Sequence, residues 1–269
     1  MKGPVRILSD LHLGHRGSRI ESAEQLVPLL DGVGTVVCNG DGWEELASEF
    51  RECGKRLLDD WRGMMEERGV EFVALPGNHD PGGGGPGYLE LGGGSVLVQH
   101  GDAIFAEGAP WNRMVPKRRR QISEAFRRAG AGADDLDGRL RLAGEVARML
   151  VAKKVHGHRS LPGRCWDAAT PPGRAVRMLL AWANFPEEAA RFVEKYRPRA
   201  EVFVCGHFHL AGVWQRRGRL IVNTGSFRPP GAAWHVDIDG GWMSVGRIVQ
   251  DGEHFRPGER VGLWRLGGS

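Results

Sequence analysis

Five short polar segments hold side chains that can bind a divalent metal ion: Ser9-Asp10-Leu11-His12, Gly40-Asp41, Gly77-Asn78-His79-Asp80, His100-Gly101-Asp102 and Gly206-His207-Phe208-His209. Asp10 and His12 are one residue apart, so on an extended segment both face the same side, and His207 and His209 share that spacing. Asp41, Asn78 and His100 add a carboxylate, an amide oxygen and an imidazole. A mixed nitrogen and oxygen set suits Mn, Fe, Zn or a similar ion rather than calcium. Seven side chains exceed the needs of one tetrahedral ion, but they suit two ions sharing a bridging carboxylate. Such a pair clamps a phosphoryl group during in-line displacement. Each segment alone has an ordinary reading, because Asp-x-His can cap a turn and Asn and Asp favour turn positions. Five of them in one chain weigh against coincidence.

Each segment closes a short apolar run. Residues 5–8 lead into Ser9-Asp10, 35–38 into Asn39-Gly40-Asp41, 71–75 into Pro76-Gly77-Asn78, 96–98 into Gln99-His100 and 201–205 into Gly206-His207. Continuous runs rich in β-branched residues predict strands buried on both faces. Residues 22–30, 44–67 and 186–196 read as helices, the last with Pro186 in its first turn. Strand followed by helix, repeated, predicts an α/β fold with its ligands at the C-terminal ends of the strands. After His209, residues 219–222, 233–238 and 243–249 look like successive strands of a second, largely antiparallel sheet.

The interval between Asp102 and Cys205 is too long for an ordinary connection. Within it, 121–129 and 139–155 read as helical and 162–173 as loop. We expect a single domain over 1–269 with a helical, basic cap inserted at 110–173. The net charge of the chain is only +4, too small to argue for nucleic acid or membrane. Residues 110–160, however, carry 13 Lys or Arg against 5 Asp or Glu. Few aromatics interleave with those charges, so a base-stacking platform is not evident. The four cysteines lack CxxC spacing, and no run approaches the ~18 apolar residues of a transmembrane helix. Reduced thiols in a soluble cytoplasmic protein are expected.

In order and spacing the five segments resemble the calcineurin-like metallophosphoesterase family, whose pattern runs D-x-H, GD, GNH(D/E), a His before a small residue, and GHxH. Asn223-Thr224-Gly225-Ser226 matches a short segment that often follows. The resemblance implies a two-sheet β-sandwich core flanked by helices. It implies that Asp10, His12 and His209 hold one metal and Asn78, His100 and His207 the other, with Asp41 bridging. It also implies a metal-bridging hydroxide as nucleophile, His79 as proton donor or transition-state stabiliser, and Asp80 orienting it. The cofactor expected is a pair of divalent ions, Mn2+ first, with Fe or Zn as alternatives. The substrate is then a phosphorylated small molecule, a monoester or diester, with nucleic acid not favoured.

A weaker resemblance, to the UDP-2,3-diacylglucosamine pyrophosphohydrolases of lipid A synthesis, rests on the insertion and on Asp41-Gly42-Trp43-Glu44. Those enzymes commonly carry Arg where this chain has His79. No apolar stripe suited to an acyl chain is obvious in the insertion. A nuclease and a non-catalytic scaffold on the same fold are the other readings. His15, Arg16 and the run Lys117-Arg118-Arg119-Arg120 are candidates to meet an anionic substrate, each weighed against a solvated surface. His156-Gly157-His158 repeats the form of the last motif, but follows a basic helix rather than a buried strand.

Overall fold

A computed structural model describes residues 1–151 and 172–267. Among the described residues, eleven strands form two sheets. The first contains β1 (Val5–Leu8), β2 (Thr35–Asn39), β3 (Glu71–Leu75), β9 (Trp234–Asp239), β10 (Trp242–Asp251) and β11 (His254–Arg265), in the order β11-β10-β9-β1-β2-β3. The second contains β4 (Leu89–Leu91), β5 (Val96–Val98), β6 (Val202–Cys205), β7 (Gly212–Arg216) and β8 (Arg219–Asn223), in the order β4-β5-β6-β8-β7. β1, β2 and β3 are parallel, as are β5, β6 and β8, so in each sheet three C-terminal ends lie along one edge.

The sheets pack face to face because alternate residues on each strand are apolar and point inward. Val5, Ile7, Val37, Val236, Met243 and Val245 from the first sheet meet Val96, Val98, Val202, Val204 and Val222 from the second. The outer faces are covered by helices. Leu8, Val36 and Cys38 pack under Leu57, Trp61 and Met65 of α1 (Arg51–Glu67) and under the 3-10 helix Ala23–Leu30. Leu97, Phe203, Cys205 and Ile221 pack under Phe185, Ala189, Phe192 and Val193 of a long helix, α4 (Pro172–Tyr196). The result is the two-sheet sandwich flanked by helices that the sequence predicts. Among the described residues no helix is long and apolar enough to cross a membrane.

Several elements depart from expectation. The strands after His209 do not form one sheet. β8 runs parallel to β6, whereas β9, β10 and β11 extend the first sheet antiparallel to β1. The cause is visible in their composition: Leu220-Ile221-Val222 is apolar on both faces and suits a covered strand, while His235-Val236-Asp237-Ile238 alternates. α1 begins at Arg51 rather than at 44, because residues 44–50 turn Glu44 inward toward the site. α4 runs through Pro186 instead of starting there. Proline removes one intrahelical donor, but the apolar face from Ala181 through Phe185 and Ala189 to Val193 is continuous under the sheet, and its burial outweighs that loss.

Among the described residues, two further α-helices lie between β5 and α4. α2 (Val115–Ala129) and α3 (Leu136–Met149) pack through Val115 and Ile122 against Val146, with Leu150 beyond α3. Asp135 caps α3 by accepting the Gly138 N–H. His156-Gly157-His158, Cys165 and the expected loop lie outside the described residues, apart from Pro172 and Gly173, which open α4.

Candidate metal centre

Asp10 and His12 follow β1, Asp41 follows β2, and Asn78, His79 and Asp80 follow β3; His100 follows β5, and His207 and His209 follow β6. The two rims face each other, so all seven expected ligands come together. Asp10, His12 and His209 form one group whose ligand atoms lie within 4.8 Å of one another, and Asp41, His100 and His207 form a second. Asp41 faces both: its Oδ2 is 3.8 Å from His12 Nε2 and its Oδ1 is 3.3 Å from His100 Nε2.

The backbone is bent to achieve this. Asp10 (φ 52°), His12 (49°), Asp41 (51°), His207 (68°) and His209 (54°) all adopt left-handed conformations. Such φ values are uncommon outside glycine and gather at functional sites. Two motif glycines are fixed by lack of space. A Cβ on Gly206 would stand 2.1 Å from Asp10 Oδ2, and one on Gly40 would stand 2.4 Å from the His100 ring.

Hydrogen bonds then fix which ring nitrogen is free, the other nitrogen being tied down as a donor. His100 Nδ1 donates to the Asn39 carbonyl (3.0 Å), His12 Nδ1 to Glu44 Oε1 (2.9 Å) and His207 Nε2 to the Gly108 carbonyl (3.2 Å). Asp10 receives the Ser9 hydroxyl at 2.6 Å and the His207 N–H at 3.0 Å, tying the two rims together. Burial lowers the pKa of His12 to about 4, although Glu44 opposes it. Burial, aided by the charge of His100, lowers His207 to about 4. Both imidazoles are therefore neutral and able to donate a lone pair.

The donor set fits a metal. Asn78 Oδ1 and His100 Nε2 are buried with no hydrogen-bond partner among the described residues, a costly arrangement unless another group satisfies them. His12 Nε2 and His209 Nε2 lie 3.2 Å apart, with Asp10 Oδ1 3.1 Å from the latter.

One residue that matters here was not singled out from the sequence. Glu44, almost fully buried, accepts from His12 Nδ1 through one oxygen and from His79 Nδ1 through the other, each at 2.9 Å. It thus links a metal-facing imidazole to His79. Its position three residues after Asp41 was the available signal, hidden because 44 read as the start of a helix. The expectation that Asp80 orients His79 is corrected. The Asp80 carboxylate accepts the backbone N–H groups of Asp41, Gly42 and Gly77 at 2.9, 2.7 and 2.8 Å, stapling two ligand loops together. Burial and the Asp41 charge push its pKa up to about 7. Burial would lower His79, but Glu44 and Asp41 outweigh it and raise its pKa to about 9. The His79 side chain is one-third exposed, on the side of a cleft of about 510 Å³.

The cleft's cations are not those expected. Arg16 pairs with Glu49 and lies over the Phe50 ring, away from the cleft. Lys117 is exposed on α2, and Arg118 bonds Gln121 on the same helix. The packed face of α2 turns to α3; Lys117, Arg119 and Arg120 are exposed, whereas Arg118 is half-buried with its Nε enclosed. His15 does line the cleft, together with Arg113, Arg174 and Arg228. The charge of Arg228 acts on His12, His15 and His79, which places it beside the metal centre.

The calcineurin-like phosphoesterase family profile matches residues 3–211. A comparison with curated proteins finds no match. Similar solved structures include a predicted phosphoesterase from Streptococcus pneumoniae (16% identity, 98% of each chain covered, TM-score 0.43). A dimetal phosphatase from Danio rerio is 13% identical, with 94% of this chain and 98% of that chain covered and a TM-score of 0.47. Vacuolar protein sorting 29 from Cryptosporidium parvum is 12% identical, with 97% and 98% covered and a TM-score of 0.47.

Proposed function

Because this chain belongs to the calcineurin-like phosphoesterase family, we propose that it hydrolyses a small phosphomonoester or phosphodiester at a two-metal centre bridged by Asp41. The observation that carries this reading is the position of Asp41, whose two oxygens each face one imidazole of a separate ligand group. Asp10, His12 and His209 would hold one ion, and Asn78, His100 and His207 the other. Two bound divalent ions, Mn2+ in the first instance, supply Lewis acidity that activates water and offsets the phosphoryl charge.

The chain's own groups do the rest. Glu44 holds the imidazole of His12 in place through Nδ1. His79, its Nδ1 tied to Glu44, turns Nε2 toward the leaving oxygen and gives it a proton. Asp80 keeps the loops carrying Asp41 and Asn78 at fixed separation. Arg228, Arg113 and Arg174 draw the anionic ester into the cleft. The complete ligand set supports catalysis over a purely scaffolding role. Free thiols at Cys38, Cys53 and Cys205 accord with a reducing, cytoplasmic setting.

The test is hydrolysis of p-nitrophenyl phosphate and bis-p-nitrophenyl phosphate by purified protein with Mn2+. The ratio of the two rates separates monoesterase from diesterase. Chelation should abolish turnover and Mn2+ restore it. Asp41→Asn should lower kcat/KM on the order of 10³-fold, as expected for a charged group central to transition-state stabilisation. Unchanged activity in that variant would sink the two-metal reading.

A further inference from the structure

Part of the cleft that holds the candidate metal ligands is apolar. Val146 and Ala147 of α3, Leu150 beyond it, Met178 and Trp182 of α4, and Trp111 line the same cleft as Asp41, Asn78, His79, His207 and His209. This contrasts with the expectation that the insertion holds no apolar stripe. The stripe is divided between two helices and a loop residue distant in sequence, so no single helical window displays it. Trp182 is fixed by donating its indole N–H to the Phe208 carbonyl at 3.1 Å, within the motif that carries His207 and His209. The Trp111 ring lies 5.2 Å from that of His207. The apolar wall is therefore anchored to the metal-binding rim itself.

We propose that this wall is the subsite for the organic group of the substrate, and that the substrate is a phosphoester whose alcohol carries an apolar group of ring size or larger. The inference rests on the phosphoesterase reading given above. If His79 protonates the leaving oxygen of a phosphoester held at the ligand rim, its alcohol would extend into the cleft that these apolar residues line. A polyhydroxylated alcohol there would lose water and gain few partners from Val146, Ala147, Leu150 and Met178, whereas an apolar one gains by burial. About 510 Å³ lies within the range of sites that enclose ligands larger than a single small ring. Basic side chains of the same cleft, Arg113, Arg174 and Arg228, suit the anionic end.

The experiment compares β-glycerophosphate, phenyl phosphate and 1-naphthyl phosphate with the Mn2+-loaded protein. Expected is a rise in kcat/KM of at least tenfold from the first to the last, carried mainly by KM. Met178→Gln, which adds polarity but no charge, should remove most of that gain, with a smaller change for β-glycerophosphate. An unchanged melting temperature shows that the variant folds. Equal kcat/KM for the three esters, or a naphthyl preference untouched by Met178→Gln, would overturn the proposal. If none of the esters is cleaved, the phosphoesterase reading fails on its own account. Calorimetry with 1-naphthylmethylphosphonate and methylphosphonate still decides the subsite: binding at least tenfold tighter for the naphthyl compound, lost in Met178→Gln, supports it, and equal binding refutes it.

Discussion

The rim of strand ends and the helical wall line the same cleft, yet they are built under different constraints. On the rim almost every residue has a fixed identity. Five of the candidate ligands sit at left-handed φ, and the Asp10 and Ser9 side chains leave no room for a Cβ at Gly206. On the wall, Val146, Ala147, Leu150 and Met178 obey only the general requirement that a helix bury one apolar face. Reaction chemistry tolerates little displacement of its groups, whereas an apolar subsite asks for volume and shape. The rim should therefore respond steeply to changes of a single atom or methyl group, and the wall gradually.

The steepest response is expected at Gly206. Its Cβ would overlap Asp10 Oδ2 and also approach Ser9 Oγ at 2.3 Å, so Gly206→Ala must displace the carboxylate or the strand end. A loss of about 10²-fold in metal affinity, with activity falling in parallel, is expected from disturbing a ligand in this way. Metal titration and kcat measured at saturating Mn2+ check it. A fully active variant would show that the rim is more pliable than its geometry indicates. Helix α3 offers the contrast: Ala147→Val adds volume to the wall and should change KM by only a few-fold.

Glu44 comes next. Glu44→Gln keeps the shape but weakens the acceptor shared by His12 and His79, and about a 10- to 100-fold fall in kcat is expected. Glu44→Ala should be worse, because two imidazole N–H groups then lack a buried partner. The distinguishing readout is the leaving group. If Glu44 acts through His79, the Glu44→Gln loss should be smaller for p-nitrophenol, which departs readily without a proton, than for an alkyl alcohol. An equal loss for both would reduce Glu44 to support of His12 alone.

These residues also show where sequence reading stops. The candidate donors were legible as a set because a metal restricts donor types and because strand-end spacing places Asp10 with His12 and His207 with His209. The strands were legible for a similar reason, since apolar runs such as Val96-Leu97-Val98 suit strands covered on both faces, whereas their arrangement as a sandwich was implied by the family resemblance. Glu44 was hidden by its helical neighbourhood, and Asp80 was given to the wrong partner because adjacency in sequence to His79 says nothing about side-chain direction. The basic run at 117–120 drew attention by its charge density, yet Lys117, Arg119 and Arg120 are exposed on α2 and none of the four lines the cleft. Arg228 is isolated in sequence, two residues after Ser226, whose hydroxyl accepts its backbone N–H at 3.0 Å. Only the fold shows that it reaches the cleft.

Arg228 and Lys117 therefore make a paired test of field against surface charge. Arg228→Ala should raise KM about 5- to 10-fold at low salt with a smaller change in kcat, consistent with loss of one charge near a phosphoryl group. The effect should shrink as salt rises. Lys117→Ala, on an exposed helix face, should change KM by less than about twofold. The reverse ranking would restore the basic helix as the substrate-binding element.

The smallest effect on catalysis is expected where the first sheet carries a buried ion pair remote from the rim. Arg6 on β1 grips Asp237 on β9 with two hydrogen bonds of 2.8 and 2.7 Å and donates a third to the Leu29 carbonyl. Burial alone would raise the Asp237 pKa, but Arg6 and His235 outweigh it and bring it down to about 2. A carboxylate whose folded pKa is depressed stabilises the fold above its unfolded pKa near 4, and that contribution is lost as pH falls toward 2. The loss should be about 2 kcal/mol across that window, read from urea unfolding at stepped pH. Asp237→Asn should flatten this part of the profile. It should also lower stability at neutral pH by roughly 3 kcal/mol, since Arg6 is left buried without its counter-charge. The folded variant should retain its kcat at pH 7, because none of these groups belongs to the ligand rim. An acid profile as steep as the parent's would remove Asp237 as the source of the slope. A fall in kcat with the fold intact would show that strain in the sheet is transmitted to the rim that β1 carries.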